Sequence, residues 1–309
     1  MTETADIWLD WLRHHRHGGD ATHEAQIRGK VTDYVDRILD AAALQPGMTL
    51  LDLGAGEGVV GLRAIERIGA ELNIIMTDIS QPLLDAAQAK AAAAGVLSQC
   101  RFLVAAADDL APVPDASADV VTSRAVLAYV DKKARAFAES FRVLKPGGRL
   151  SIAEPLFRDE ALDVIAMKRV LDQRAADVVE PVLPLLHRWK ATQFPDDEAG
   201  LERTAITNYT ERDFVRYARE TGFTDVHLEL HIDVRTARPM PWEVFLNKSP
   251  HPLAPTLKDV LSQQFSPAER QIFEQALRPW LQAGGNISIE RMIYLTALKP
   301  ARPAPGVSS

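Results

Sequence analysis

The sequence predicts an α/β fold built on a parallel sheet, and three observations carry that prediction. Short apolar runs alternate with amphipathic helical patterns through residue 154, the signature of crossover units covering both faces of a sheet. The first run, Thr49–Leu53 (TLLDL), ends in the cluster Gly54-Ala55-Gly56-Glu57-Gly58, where a buried strand must turn sharply. The next run, Asn73–Thr77 (NIIMT), is closed by Asp78.

The elements follow in order. Ile27, Val31, Tyr34, Val35, Ile38 and Leu39 recur at helical spacing within Thr22–Leu44, and Gln45-Pro46-Gly47 stops that helix. Val59–Ile68 reads as the helix after the glycines. Ser80 is placed to cap a further helix, with Pro82 in its first turn and Gly95 past its end. Arg101–Val104 and Asp119–Thr122 are strands, Asp131–Leu144 a helix, and Arg149–Glu154 (RLSIAE) a fifth strand. Lys145–Gly148 between them reads as a structural turn.

Beyond residue 154 the alternation lapses. Ala161–His187 is helical in pattern, Pro195–Glu202 reads as acidic loop, and Glu211–Thr221 as helix. Thr224–Val234 alternates like a strand, a helix is expected near Pro267–Leu281, and Arg291–Leu298 is a last strand. Residues 155–222 and 236–289 are expected to be insertions over the ligand edge of the sheet.

Composition narrows the class. The 309 residues are 47% hydrophobic and 25% charged, fitting one large domain or a core with an appendage. No apolar run reaches the ~18 residues of a membrane span, and Met1–Trp8 carries acid where a secretory leader is basic, so a cytoplasmic location is expected. Cys100 is the single cysteine, which excludes an intramolecular disulfide and a multi-cysteine metal cage. Lys plus Arg number 35 against 42 Asp plus Glu, a net charge of −7 that argues against a nucleic-acid partner.

The glycine loop carries the chemistry. Gly54 and Gly56 let backbone approach a ligand, and Gly58 opens a helix whose N-terminus favours an anionic group. Asp78 is placed to accept hydrogen bonds from both ribose hydroxyls of a nucleoside. Gly56-Glu57-Gly58-Val59-Val60-Gly61 also satisfies the dinucleotide pattern, which keeps an NAD-dependent oxidoreductase open. Asp52 weighs against a diphosphate and suits a ligand bearing an ammonium or sulfonium group.

These residues resemble motif I of the class I S-adenosylmethionine-dependent methyltransferases (D-x-G-x-G-x-G). Asp119–Leu127 (DVVTSRAVL) is similar to that family's fourth-strand motif, and Phe141–Leu150 (FRVLKPGGRL) to its turn before strand five. The resemblance covers roughly 46–154, more weakly 207–234 and 290–299. It implies a Rossmann-like seven-stranded sheet of order 3-2-1-4-5-7-6, with strand seven antiparallel. It also implies that Asp52, Gly54, Ala55, Gly56 and Gly58 hold the methionine part of the cofactor, with Ser123 nearby. Asp78 and Ile79 would take ribose and adenine, and Ala107 and Asp108 the adenine edge. The sequence departs from the family at Ala105-Ala106-Ala107-Asp108-Asp109, where many members have Gly-Asp-Ala.

For the acceptor, the expected contacts are His17, Tyr34 and Arg124. Arg124 follows the fourth strand, where it would bind an anionic acceptor or else pair with Asp119 or Glu154. His17 belongs to a histidine-rich segment with His14, His15 and His23, read as a solvated amphipathic stretch or a lid, with no metal site expected. Tyr129 fits core packing. His187-Arg188-Trp189 and Tyr209 are expected in a cap, and Met240-Pro241-Trp242 and Trp280 as the core of the second insertion.

The chain is accordingly divided into a helical lid segment (1–45), a cofactor-binding core (46–154), cap helices plus a closing strand (155–235), a second insertion and last strand (236–300), and a disordered tail (301–309) rich in proline and small residues. The expected function is transfer of a methyl group from S-adenosylmethionine to oxygen or nitrogen of a small natural-product-like acceptor, leaving S-adenosylhomocysteine. The alternatives are a carboxyl methyltransferase acting on a peptide C-terminus and, outside the class, an NAD-dependent oxidoreductase or a non-catalytic protein that binds S-adenosylmethionine. Neither a membrane nor a nucleic-acid partner is expected, and oligomeric state is left open.

Overall fold

The computed structural model describes residues 6–174, 179–285 and 287–301. The chain opens with α1 (Ile7–Asp10), a π-turn over Trp11–His15, and α2 (Ala21–Ala42). Then come β1 (Thr49–Leu53), α3 (Val59–Ile68), β2 (Asn73–Asp78), α4 (Gln81–Ala93), β3 (Cys100–Val104) and β4 (Ala118–Arg124). They are followed by α5 (Lys133–Val143), β5 (Leu144–Pro155), α6 (Arg158–Gln173), α7 (Leu183–Ala191), α8 (Glu198–Arg203) and α9 (Glu211–Thr221). The chain ends on β6 (Thr224–Thr236), α10 (Trp242–Leu246), α11 (Leu257–Gln264), α12 (Pro267–Ala283) and β7 (Ile287–Leu298).

Seven strands form one sheet of order β3-β2-β1-β4-β5-β7-β6, as expected. β1 runs parallel to β2 and β4, and β7 antiparallel to β5. Both faces of the central strands are buried, which is why Leu50, Leu51, Ile74, Ile75, Val120 and Val121 read as unbroken apolar runs. The helix signals perform as chemistry requires. The Ser80 hydroxyl accepts the Leu83 N–H, and Thr210 with Asp213 closes a reciprocal capping box on α9.

The chain divides into two compact units. One, comprising Lys30–Leu156, Tyr209–His231 and Arg291–Ser309, contains most of the sheet. The other comprises Met1–Gly29, Phe157–Asn208 and Ile232–Glu290, and has its own core of Leu185, Trp189, Trp242, Leu257, Phe265 and Phe273. There Trp189 meets Phe273 edge-to-face with centroids 5.7 Å apart.

Several expectations are corrected. Tyr209 belongs to the sheet unit, not to a cap: it stacks on Phe214 at 5.2 Å, and its hydroxyl donates to the Pro155 carbonyl. Trp280 is not core but 54% exposed. On α12 the buried positions Phe273, Leu277 and Leu281 advance by four, so the apolar stripe drifts about 40° per step and leaves Trp280 at its margin. The acidic stretch Pro195–Glu202 contains most of α8, capped by Asp197, whose side chain accepts the Gly200 N–H. Ala161–His187 covers parts of two helices, α6 and α7, and residues 175–178 between them lie outside the described residues. Lys145–Gly148 is an irregularity at the start of β5, where register with β4 shifts between Ala118 and Val120. The tail assigned to 301–309 lies, from residue 302, outside the described residues.

Candidate active site

Three acids close three apolar strands: Asp52 in β1, Asp78 at the end of β2 and Glu154 near the end of β5. All are buried, at 1%, 8% and 0% exposure. A carboxylate in such a place is costly unless paired, so its partners state its role.

Asp78 bridges the loop to the next helix. Its Oδ2 accepts the Gly56 N–H at 2.8 Å, and its Oδ1 accepts the Ser80 N–H at 2.9 Å. The acid thus lies against the glycine loop rather than in solvent. Gly54, Gly56 and Gly58 all have positive φ (58°, 56° and 83°), a conformation glycine adopts without strain. What surrounds them differs. A Cβ on Gly54 would strike Val126 at 2.3 Å, and one on Gly58 would press Ala87 at 3.2 Å. A Cβ on Gly56 would meet nothing within 4 Å. The loop is therefore packed at both ends and open at its middle, beside the Asp78 carboxylate.

Asp52 is half satisfied. Thr122 Oγ1 donates to its Oδ1 at 3.0 Å, while the buried Oδ2 has no hydrogen-bond partner. The Gly61 N–H lies near enough to favour the charged form without bonding geometry. Desolvation dominates and raises the carboxyl to about 7.

Glu154 is fully satisfied. Its Oε1 accepts the Ser123 hydroxyl at 2.7 Å, and its Oε2 accepts the N–H groups of Val126 and Ala128 at 2.9 and 3.2 Å. These bonds hold the turn after β4, where Ala125 takes a left-handed φ of 55°, and they press Val126 against Gly54. Burial raises the Glu154 carboxyl while these bonds oppose the rise.

Arg124 stands at the end of β4, facing the charges of Asp52 and Glu154 and the phenols of Tyr129 and Tyr34. Desolvation lowers its affinity for the proton and the two acids oppose that fall. Asp119, one expected partner, is taken by the Thr49 N–H and by Lys145 at 2.8 and 2.7 Å. Lys133 is buried beside this group: its ammonium donates to the Val130 carbonyl at 2.9 Å and sits over the Tyr209 ring. Burial lowers it to about 8.

The remaining expected residues are distributed as follows. Ile79, next to Asp78, is 56% exposed, a large aliphatic side chain left on the surface. Ala107 is buried, and Asp108 is half-buried with its carbonyl accepting from Arg135. The Ser123 hydroxyl is spent on Glu154, which leaves only its main chain for a ligand. His17 lies in the other unit, with a buried Nδ1 that lacks a hydrogen-bond partner. Near it, Lys248 meets His23 Nε2 at 2.8 Å, and His23 falls to about 4 through burial and that cation. The expectation gave Glu154 only a pairing role with Arg124. Its signal was available, since an acid closing an apolar strand repeats the pattern of Asp52 and Asp78.

Residues 51–152 match the family model described as a methyltransferase domain. The strand order and the glycine loop agree with that match, and residues 51–152 are similar to the domain of class I S-adenosylmethionine-dependent methyltransferases. Among curated relatives, the ubiquinone/menaquinone biosynthesis C-methyltransferase UbiE of Vibrio vulnificus is 34% identical over 116 residues, 38% of this chain and 44% of that protein. UbiE of Marinomonas sp. is 29% identical over 189 residues, 56% of this chain and 73% of that protein. This chain thus spans less than half of the Vibrio relative. Among solved structures, the YcgJ protein of Bacillus subtilis superposes with a TM-score of 0.54 at 17% identity, covering 87% of this chain and 99% of that one, a likeness of fold.

Proposed function

We propose that this protein transfers the methyl group of S-adenosylmethionine to an oxygen or nitrogen of a small acceptor bearing an anionic or ionisable group. The observation that supports it best is the open glycine at position 56 lying against a buried, oriented Asp78. The residues fit the cofactor on two further counts. The orphaned Asp52 Oδ2 is an acceptor waiting for a donor such as an ammonium, and Ile79 offers an apolar face next to Asp78. A diphosphate offered to the same hollow would meet Asp52 and lose by repulsion.

When bound, S-adenosylmethionine supplies an electrophilic methyl group on a sulfonium. The chain contributes position and a dry environment, and alignment of reactants is worth ~7–11 kcal/mol in such displacements. Asp78 would hold the ribose, Asp52 the amino group, and Ala107 and Asp108 the adenine edge. Arg124, its charge offset by Asp52 and Glu154, would seat an acceptor carboxylate or phenolate, with the Tyr34 hydroxyl as a further contact. An already ionised acceptor needs no base. A neutral hydroxyl needs one.

A carbon acceptor is the second reading, favoured by the names of the UbiE relatives. A phenol ionised near Arg124 places negative charge on its ring carbons, so the same cation would serve both. A carboxyl acceptor at a peptide C-terminus would use Arg124 in the same way. Methyl-labelled S-adenosylmethionine incubated with panels of phenols, carboxylic acids, amines and C-terminal peptides tests these readings. Label transfer to a panel member, with KM raised in Arg124→Met for anionic members only, is the expected result. Absence of transfer to every panel, with S-adenosylhomocysteine binding intact, would favour a non-catalytic role.

A further inference from the structure

The sheet ends on β6, thirteen residues long, beyond which the strand order places no other strand among the described residues. A long edge strand presents a row of backbone donors and acceptors ready to pair with another chain, and proteins normally blunt such edges. β3, at the other edge, is only five residues long.

The sequence of β6 is unusual for an edge. On one face stand Asp225, His227, Glu229, His231, Asp233 and Arg235, alternating acid and base without a break. On the other stand Val226, Leu228, Leu230, Ile232 and Val234, and exposure grows along it from 38% at Leu230 to 54% at Ile232 and 61% at Val234. A monomer gains nothing from three consecutive large aliphatics on the solvent side of an edge strand.

Reversed on itself, the strand becomes complementary. With Leu230, its midpoint, placed opposite Leu230 of a second copy running antiparallel, Thr224 meets Thr236, Asp225 meets Arg235, Val226 meets Val234, His227 meets Asp233, Leu228 meets Ile232 and Glu229 meets His231. Every ionisable residue faces one of opposite type, and every aliphatic faces an aliphatic, the arrangement that stabilises cross-strand neighbours. A shift by one residue destroys this: an axis through Glu229 sets Asp225 against Asp233, and an axis through His231 sets Glu229 against Asp233. Among the described residues of one chain, Glu229 bonds His231 at 2.9 Å, His227 at 3.3 Å and Arg37 of α2, Asp233 accepts from Arg235 at 3.0 Å, and the His231 ring packs on Tyr294 of β7.

We infer that β6 is the interface of a symmetric homodimer, in which two copies join their edges antiparallel about Leu230. The partner is a second copy of this chain because the strand is complementary to its own reversal in charge, hydrophobicity and length together. A two-fold contact of this kind is closed and consumes both edges, so assembly stops at two.

Sedimentation velocity of the full chain at micromolar concentration tests this. The wild type should sediment as a dimer, twice the 34.0 kDa chain mass. Leu230→Lys, which puts two ammonium groups on the axis at an exposed position, should sediment as a monomer with unchanged circular dichroism. Asp233→Lys, which sets a fixed cation opposite His227 of the second copy, should raise the dimer dissociation constant about tenfold or more. Adding His227→Glu to it should recover the dimer. As a second readout, Leu230→Cys in a Cys100→Ser background should form an intermolecular disulfide under mild oxidation. A wild type that sediments as a monomer, or a dimer that persists in Leu230→Lys, would overturn the inference.

Discussion

Asp52 and Glu154 occupy equivalent places, buried near the ends of apolar strands on either side of β4, yet they are treated in opposite ways. Glu154 accepts three hydrogen bonds from the end of β4 and the turn after it, and nothing about it is unfinished. Asp52 accepts one, from Thr122, and keeps a buried oxygen without a donor. The same contrast runs through the glycines beside them, since Gly54 is filled by Val126 and Gly56 opens onto space. A carboxylate whose bonds are complete is architecture. One left incomplete at full burial fits the receptor proposed for it, and its cost is relieved by protonation or by a ligand that donates to it.

That contrast is tested most forcefully at Glu154. Glu154→Ala orphans the Ser123 hydroxyl and two N–H groups and removes a counter-charge from Arg124, so urea unfolding should show a loss of about 3–5 kcal/mol. Asp52→Asn, by contrast, removes a strained charge and should leave stability at pH 7 equal or higher. If the two substitutions cost the same, the distinction between architecture and receptor fails.

The next effect is on ligand affinity. Gly56→Ala sets a methyl group into the open middle of the loop in a backbone conformation that costs an alanine about 1–2 kcal/mol. Stability should fall by roughly that amount, while S-adenosylhomocysteine binding should become undetectable by calorimetry. Retained affinity would show that the opening is not where the ligand lies.

The same acid gives a pH dependence. The folded Asp52 carboxyl sits at about 7, above the ~3.9 of an unfolded aspartate. Its contribution to stability is therefore complete below pH ~4 and is lost as pH rises through about 7. An ammonium-bearing ligand requires the ionised form, so affinity for S-adenosylhomocysteine should rise over the same window. Asp52→Asn should flatten both curves, and an unchanged slope in that variant would assign the titration elsewhere.

Legibility followed the same division. The sheet unit was readable because its elements obey local rules: β1, α3 and α9 begin and end where glycines, caps and apolar runs place them. The glycine loop and the acid beside it were readable because backbone geometry demands glycine at positive φ, at fixed spacing from that acid. In the other unit caps are present, as at Asp197, Thr256 and Ser266, but several helices are too short to show a pattern. The six-residue α8, with Gly200 inside it, carries too few apolar positions to show a period. α10 and α11 were missed in a stretch broken by prolines, where helices of five and eight residues leave little pattern. Trp280 was misassigned because hydrophobicity was read without the drift of the buried stripe. Tyr209 was placed in the wrong unit because its anchor, the Pro155 carbonyl, is 54 residues away.

The open side of the glycine loop at Gly56, with Asp78 beside it, is where we propose that the nucleoside of S-adenosylmethionine lies. Calorimetric titration of the wild type and Asp78→Ala with S-adenosylhomocysteine, and separately with NAD, addresses this directly. Heat is expected with S-adenosylhomocysteine alone, and a folded Asp78→Ala should lose ~10²-fold or more in affinity, since two hydrogen bonds to a charged acceptor are removed. Binding of NAD but not S-adenosylhomocysteine, or equal affinity in the variant, would contradict it.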